Sequence, residues 1–502
     1  MDRYSIGVDF GTLSGRAVLV NVNTGEEVAY SVYEYPHQVM DNQLPSGKKL
    51  PHDWALQHPQ DYLDVLSNTI PSLLKKTNIS PDKVIGLGID FTACTVIPIK
   101  KDGTPLCFID KYKDRPHAYV KLWKHHAAQD LANQLNSIGK EIRSSCMAGY
   151  KAIWHKEKGY PNKEFFKALD EGLENVIEEK LSKDIVSIGE KAGEITEYGA
   201  KLTGLNIGTA VAVPIIDAHA FAPAVKLYEP GKMLAIIGTS SCHIVLSKEE
   251  KKVPGICGVV EDGVIPGYFG YEAGQPGVGD SFAWFVDNCV SAEYIERAKE
   301  EGLDIHQYLG EKAERLKAGE SGLLALDWWN GNRSVLVDVD LSGLIIGMDL
   351  QTKPEEIYRA LIESTAFGTR VIVEAFNENG IPVEEFYASG GIPKKNPLMM
   401  QIYADVLNIP VRIAGTDQGG ALGSAIFGAV AAGKDKGGYD SVTEASKIMG
   451  KVDETIYRPI KENVEIYNIL FEEYRKLYDY FGQGGNNIMK RLKNIKKNVD
   501  TL

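Results

Sequence analysis

Cysteine is scarce: six in 502 residues, with no Cys-x-x-Cys pair. Thiols so few and so scattered imply neither a disulfide framework nor a zinc site. Positive charge is also in deficit. Fifty-five Lys and Arg stand against 68 Asp and Glu, a formal net charge of −13, which argues against the basic field of a nucleic-acid binder. The one basic stretch, Lys490 to Lys497, reads as the solvated face of a last helix. No apolar run reaches the length of a membrane-spanning helix. Met1-Asp2-Arg3 leads straight into an apolar segment, so no export signal is expected and the cytoplasm is the expected compartment. A Gly-x4-Gly-Lys-Ser/Thr loop is missing, which excludes a P-loop. The glycines of Gly274-Gln275-Pro276-Gly277-Val278-Gly279 stand in the wrong order for a dinucleotide fingerprint. No low-complexity linker interrupts the chain.

What is present is ordinary in bulk, with 44% hydrophobic and 25% charged residues, as in globular proteins generally. The length exceeds a single core, so two large domains are expected. The turn Glu229-Pro230-Gly231 is the natural boundary, giving domains 1–229 and 230–502. Each half carries one copy of the same device: Val8-Asp9-Phe10-Gly11-Thr12-Leu13-Ser14-Gly15-Arg16-Ala17-Val18 and Ile236-Ile237-Gly238-Thr239-Ser240-Ser241-Cys242-His243-Ile244-Val245. An apolar run, a Gly-Thr turn rich in hydroxyls and a second apolar run predict a tight β-hairpin. Such a turn offers backbone N–H groups and hydroxyls to anionic oxygens. Thr12, Ser14, Thr239 and Ser240 are the candidate phosphate contacts, hairpin-turn chemistry alone being the plainer alternative. Asp9 has no counterpart, since Ile236 takes its place. The asymmetry suggests a metal ion on one lobe and phosphate alone on the other, although an Asp here can also simply satisfy a turn.

The order of elements repeats as well. A helical pattern over Asp61 to Lys76 precedes a buried strand, Val84 to Asp90. One over Glu355 to Phe376 precedes Phe386-Tyr387-Ala388-Ser389, with a proline-led turn before each strand (Pro81, Pro382). Paired order supports a duplicated α/β unit. From Glu462 onward the chain reads as helix, packing back across the lobes.

Several segments together resemble the FGGY carbohydrate kinases of the actin-like ATPase superfamily: Asp9-Phe10-Gly11-Thr12-x-Ser14-x-Arg16, Asp217-Ala218-His219-Ala220, Gly238-Thr239-Ser240, Ser342-Gly343-Leu344-x-x-Gly347, Ser389-Gly390-Gly391 with Asn396, and Ala421-Leu422-Gly423-Ser424-Ala425. Others are similar to the members of that family that phosphorylate L-ribulose: Asp90-Phe91-Thr92-Ala93-Cys94-Thr95, Lys121-Leu122-Trp123-Lys124-His125-His126-Ala127, Ala148-Gly149-Tyr150-Lys151-Ala152-Ile153-Trp154, Gly270-Tyr271-Glu272-Ala273-Gly274-Gln275 and Asp327-Trp328-Trp329-Asn330-Gly331-Asn332-Arg333-Ser334. Two departures stand in the sugar-binding half. Between about 128 and 143 the chain lacks several dozen residues that the family has. Pro214-Ile215-Ile216 replaces the usual Gly-Asn before Asp217.

The resemblance implies an actin-like, ribonuclease H-like α/β fold: two duplicated domains with a cleft between them, the first binding sugar and the second ATP. It implies Mg²⁺ at Asp9, and phosphate and nucleotide contacts from Gly11, Thr12, Ser14, Arg16, Gly238, Thr239, Ser240, Gly279, Gly390, Gly391 and Asn396. Sugar contacts fall to Ala93, Lys151, Glu272 and Asp217. Asp217 would also take the proton of the attacking hydroxyl, because phosphoryl transfer needs a carboxylate within reach of it. The plainer role for Asp217 is a helix N-cap. Trp123 could wall the sugar, but a Trp in an apolar-periodic segment is more often core. The implied reaction makes L-ribulose 5-phosphate in arabinose catabolism, with a ketopentose and no nucleic acid or membrane as partner, and a homodimer as an open possibility. The alternatives are a kinase of another pentulose or pentitol, or a sugar- or nucleotide-binding homologue whose catalysis the shortening impairs.

Overall fold

The structure is a computed structural model that describes residues 2–52, 54–123, 125, 150, 154–181, 185–256 and 258–499. Lys151 lies outside the described residues, as does 126–149, where the shortening falls. The chain forms two compact units. The first joins Met1–Tyr228 with Val259–Gly270 and Gln418–Lys451; the second holds Glu229–Gly258, Tyr271–Asp417 and Val452–Leu502.

In the first unit Tyr4–Phe10 pairs antiparallel with Ser14–Asn21, and that strand pairs with Glu27–Glu34. On its other side Tyr4–Phe10 runs parallel to Val84–Phe91, which is flanked in turn by Ala210–Ala212 and, at its carboxyl end, by Ile215–Ile216. Side chains alternate across a strand. Ile6, Val8 and Leu87 therefore fall on one face, where they meet Val65, Ile70 and Leu73 of the helix Pro59–Thr77. That helix opens on a proline, whose missing N–H is no loss there, and ends at Asn78 in the left-handed region (φ 54°).

The opposite face carries Gly7, Gly86 and Gly88, and the Gly/Ala-rich helix Gly419–Ala432 lies directly on it. A Cβ on Gly7 would sit 1.7 Å from the carbonyl oxygen of Ala421, and one on Gly88 1.8 Å from that of Ser424. The glycines let backbone meet backbone, which no larger residue permits. Parallel strands are normally covered on both faces, and a segment 330 residues downstream supplies the second cover.

The second unit repeats the plan. Gly231–Ile237 pairs antiparallel with Ser241–Ser247 and parallel with Val383–Ser389, followed outward by Val411–Ala414 and the antiparallel Val452–Tyr457. The predicted helix of this half spans Pro354–Glu378. The terminal region is helical over Lys461–Gly482 and Ile488–Val499. The first of these lies against Pro354–Glu378 within its own unit. Tyr467 donates to Glu363 (2.9 Å) and accepts from Arg359 (2.9 Å), and the Arg370 guanidinium covers the Phe471 ring at 4.1 Å. Among the described residues no helix is long and apolar enough to cross a membrane.

Candidate active site

Both Gly-Thr segments are hairpin turns. Gly11 N–H donates to Ser14 O at 3.0 Å and Gly238 N–H to Ser240 O at 2.9 Å. The second turn is shorter by one residue, with Ile237 opposite Ser241 where Phe10 stands opposite Gly15. The registers also equate Asp9, paired across to Asp90, with Ile236, paired across to Ser389.

In the first unit the acids gather at strand ends. Asp9 and Asp90 are register partners near the carboxyl ends of adjacent parallel strands. Ile215–Ile216 pairs with Asp90–Phe91 and delivers Asp217 immediately after it. Carboxyl ends of parallel strands are where open α/β sheets bind ligands. Burial raises Asp90 well above the usual carboxylate range, aided by the neighbouring carboxylates of Asp9 and Asp217 and opposed by the Ser424 hydroxyl, which donates to Oδ2 at 2.6 Å. Burial also raises Asp9, and the Arg16 guanidinium opposes it, with Arg16 Nε 3.4 Å from Asp9 Oδ2. Arg16 is thus the cross-strand partner of Asp9.

Asp217 opens the helix Asp217–Ala224 as its first residue, not its cap. Ile216 holds the cap position, and the Asp217 carboxylate accepts from the next amide, Ala218 N–H, at 2.7 Å. Asp217 is therefore not the N-cap that its sequence context suggests: it is the first helical residue, with its side chain beside the first turn. Ala93 lies in the turn after Val84–Phe91, next to Cys94 in the left-handed region (φ 60°). Trp123 is not core. The residue is 45% exposed, and its indole N–H donates to Thr12 Oγ1 at 3.1 Å. The strand pairing of Leu56–Gln57 with Val120–Lys121 carries it there. The same pairing brings in a residue that the sequence did not single out. Gln57 is buried, and its amide donates to Gly11 O (3.2 Å) and Thr12 O (2.8 Å).

In the second unit Gly279 begins the helix Gly279–Cys289 and donates to Gly238 O at 3.0 Å. A Cβ there would come within 2.6 Å of that oxygen, so the glycine is required by the turn itself. Gly390 takes φ 104°, and a Cβ on it would meet Ile237 O at 2.3 Å; around Gly391 a Cβ would find open space. Asn396 Oδ1 accepts from Met399 N–H at 2.9 Å, capping Pro397–Leu407. Its carboxamide nitrogen and the second lone pair of Oδ1 can serve a ligand without losing that cap. Glu272 is buried on Phe269–Gln275 in an ion pair with Arg333. The structure therefore brings Asp9, Arg16, Asp217 and the Gly11–Ser14 turn together in one unit, and the Gly238–Ser240 turn, Gly279 and Gly390 in the other. Asp90 was the acid to find. Its signal is a carboxylate closing an otherwise apolar run, in register with Asp9.

Residues 4–164 match the N-terminal domain, and residues 233–432 the C-terminal domain, of the FGGY family of carbohydrate kinases. The chain belongs to that family, and its fold is the two-unit actin-like, ribonuclease H-like α/β architecture. Within the family its relatives are ribulokinases: that of Bacillus licheniformis is 52% identical, covering 98% of each chain, and that of Anoxybacillus flavithermus 53%, covering 99% of this chain and 97% of the other. These alignments run over 545 and 550 positions, more than the 502 residues here, so the relatives carry residues that this chain lacks. A solved gluconate kinase from Lactobacillus acidophilus shares the fold at TM-score 0.76 and 17% identity, covering 96% of this chain and 99% of that one.

Proposed function

We propose that this chain is an ATP-dependent kinase of L-ribulose, forming L-ribulose 5-phosphate, as the similarity to ribulokinases over nearly the whole chain supports. The observation that carries the chemistry is Asp217 at the carboxyl end of the sheet, one strand from Asp90 and two from Asp9. In this reading the sugar hydroxyl attacks the terminal phosphorus of ATP, a new O–P bond replaces the bond to the departing ADP oxygen, and Asp217 accepts the hydroxyl proton. The Gly11–Ser14 and Gly238–Ser240 turns supply N–H and hydroxyl donors to phosphoryl oxygens, and Gly391, around which a Cβ would find open space, leaves room for the nucleotide beside the backbone, with Gly390 assigned to the same contact. Ala93, Lys151 and Glu272 are assigned to the sugar.

The donor set suits Mg²⁺, which binds through one or two carboxylates plus phosphates and water. Asp9 offers one carboxylate beside the turn. Among the described residues no group of three or more His, Cys, Asp or Glu could hold a metal by itself. Asp9 would hold the ion, which when bound neutralises phosphate charge.

A coupled assay of ADP release across L-ribulose, other pentuloses and pentitols tests the substrate. Asp217→Asn tests the base: kcat should fall by about 10²–10⁴ with ATP affinity retained. Full sugar-dependent ADP release by that variant refutes the assignment.

A further inference from the structure

The Gly11–Ser14 turn is shaped from behind. Gln57 is 1% exposed, and its one side-chain nitrogen donates to two successive carbonyls, Gly11 O and Thr12 O, at 3.2 and 2.8 Å. Its own oxygen accepts from the Tyr62 hydroxyl at 2.7 Å, which fixes which end of the amide faces the turn. A third carbonyl, Leu13 O, accepts from Tyr35 N–H at 2.9 Å. In a trans peptide the N–H points opposite to the C=O. The carbonyls of Gly11 and Thr12 share their peptide planes with the N–H groups of Thr12 and Leu13. Drawing both carbonyls inward therefore turns both N–H groups away from Gln57.

The second unit makes the same arrangement without a side chain. Gly238 O accepts from Gly279 N–H at 3.0 Å, and Thr239 O accepts from Val278 N–H at 2.9 Å and Asp280 N–H at 3.2 Å. The matching carbonyls of the two turns, Gly and Thr in each, are thus both held back. Both holders sit at the start of a helix, Pro59–Thr77 in one unit and Gly279–Cys289 in the other. The duplicated architecture has kept the constraint and changed the group that imposes it.

We propose that Gln57 is a positioning residue for phosphoryl transfer: it aims the Thr12 and Leu13 amides outward as a two-donor cradle for phosphoryl oxygens, the part that backbone amides at Val278–Asp280 play for Thr239 and Ser240. This rests on the kinase reading given above. Preorganised donors need no rearrangement when charge develops on the transferring group.

The test pairs two readouts on Gln57→Leu, Gln57→Glu and Tyr62→Phe. Hydrogen–deuterium exchange of a peptide covering Phe10–Gly15 reports the bracing whether or not the protein is a kinase. Exchange there should accelerate in both Gln57 variants and stay unchanged in the peptide covering Ile237–Ser241. Steady-state kinetics with L-ribulose and ATP report the use: kcat should fall by about 10²-fold, the cost of one lost oxyanion donor, while KM for the sugar stays within about twofold. Gln57→Glu should be as poor as Gln57→Leu, because a carboxylate turns acceptors toward two carbonyls. Tyr62→Phe should move both readouts in the same direction by less, and it carries the test if the Gln57 variants do not fold. Unchanged exchange overturns the bracing. Faster exchange with unchanged kcat overturns the role in transfer. If the wild type releases no sugar-dependent ADP, the kinase reading fails while the exchange result still decides the bracing.

Discussion

Gly88→Ala should be among the most damaging single-methyl additions to this fold. The new Cβ would lie 1.8 Å from Ser424 O and 2.6 Å from Ser424 C, both backbone atoms of the helix Gly419–Ala432. Reaching ordinary contact at 3.4 Å requires the helix and the strand Val84–Phe91 to separate by about 1.6 Å. The Ser424 hydroxyl bond to Asp90, 2.6 Å long, would stretch to roughly 4 Å, beyond hydrogen-bonding range. Overpacking costs about 1–3 kcal/mol, and a buried donor and acceptor left apart cost about 1–3 kcal/mol more. A total near 4 kcal/mol is a large share of a typical stability of about 5–15 kcal/mol, and lowers the melting temperature of a unit of this size by roughly 7 °C. Differential scanning calorimetry reads this directly. Gly310→Ala is the control. It lies inside the helix Ile305–Glu314 with nothing within 4 Å of its Cβ, so it should gain up to about 1 kcal/mol from helix propensity. A Gly88→Ala protein melting within about 2 °C of wild type, about 1 kcal/mol or less, would refute the close-packing argument.

Three further outcomes follow from buried polar groups. Tyr474→Phe removes the 2.8 Å donor to Asp327 Oδ1 inside the network of Gln275, Thr365 and Thr369; it should destabilise by about 1–3 kcal/mol, read by chemical denaturation. Burial lowers His243 to about 3, whereas an unfolded His titrates near 6.5. Between those values the unfolded chain binds more protons, so stability falls as pH falls, by up to about 1.4 kcal/mol per pH unit. His243→Gln should flatten the melting-temperature profile across that window. Asp90 has the opposite sign. Its raised pKa keeps the folded form protonated where the unfolded form is ionised, so its contribution falls as pH rises above the unfolded value near 3.9. Asp90→Asn should melt higher than wild type at neutral pH, the gap closing below about pH 4.

Local pattern made much of this fold readable, and nonlocal contact made the rest invisible. The hairpins, the helices at Pro59–Thr77 and Pro354–Glu378 and the strands after each proline turn all follow from periodicity and turn residues within a short window. Gly7, Gly86 and Gly88 read only as glycines in a strand, because the helix that needs them lies hundreds of residues away. For the same reason the return of Gln418–Lys451 to the first unit could not be read from composition. Among site residues, Asp9 and both turns stood out because an acid or a Gly-Thr pair interrupts an apolar run, whereas Asp217 stood out only through the resemblance to the family's motif. Gln57 did not. A glutamine before His-Pro looks like loop chemistry until its two carbonyl acceptors, more than forty residues earlier, are seen.

The duplication also supplies an internal control on why the acids are there. At matching register positions one unit holds Asp9 and Asp90, the other Ile236 and Ser389, on the same hairpin-and-parallel-strand frame. The second unit thus folds this frame with no buried acid pair. Nothing in the backbone plan demands carboxyls at these positions, and burial acts against both of them. Uncompensated carboxylates in an interior destabilise a fold, and Ser424 and Arg16 offset only part of that. Groups that oppose folding where the architecture permits apolar or neutral residues are expected where chemistry uses them. Asp9 and Asp90 meet that description, and their twin positions do not.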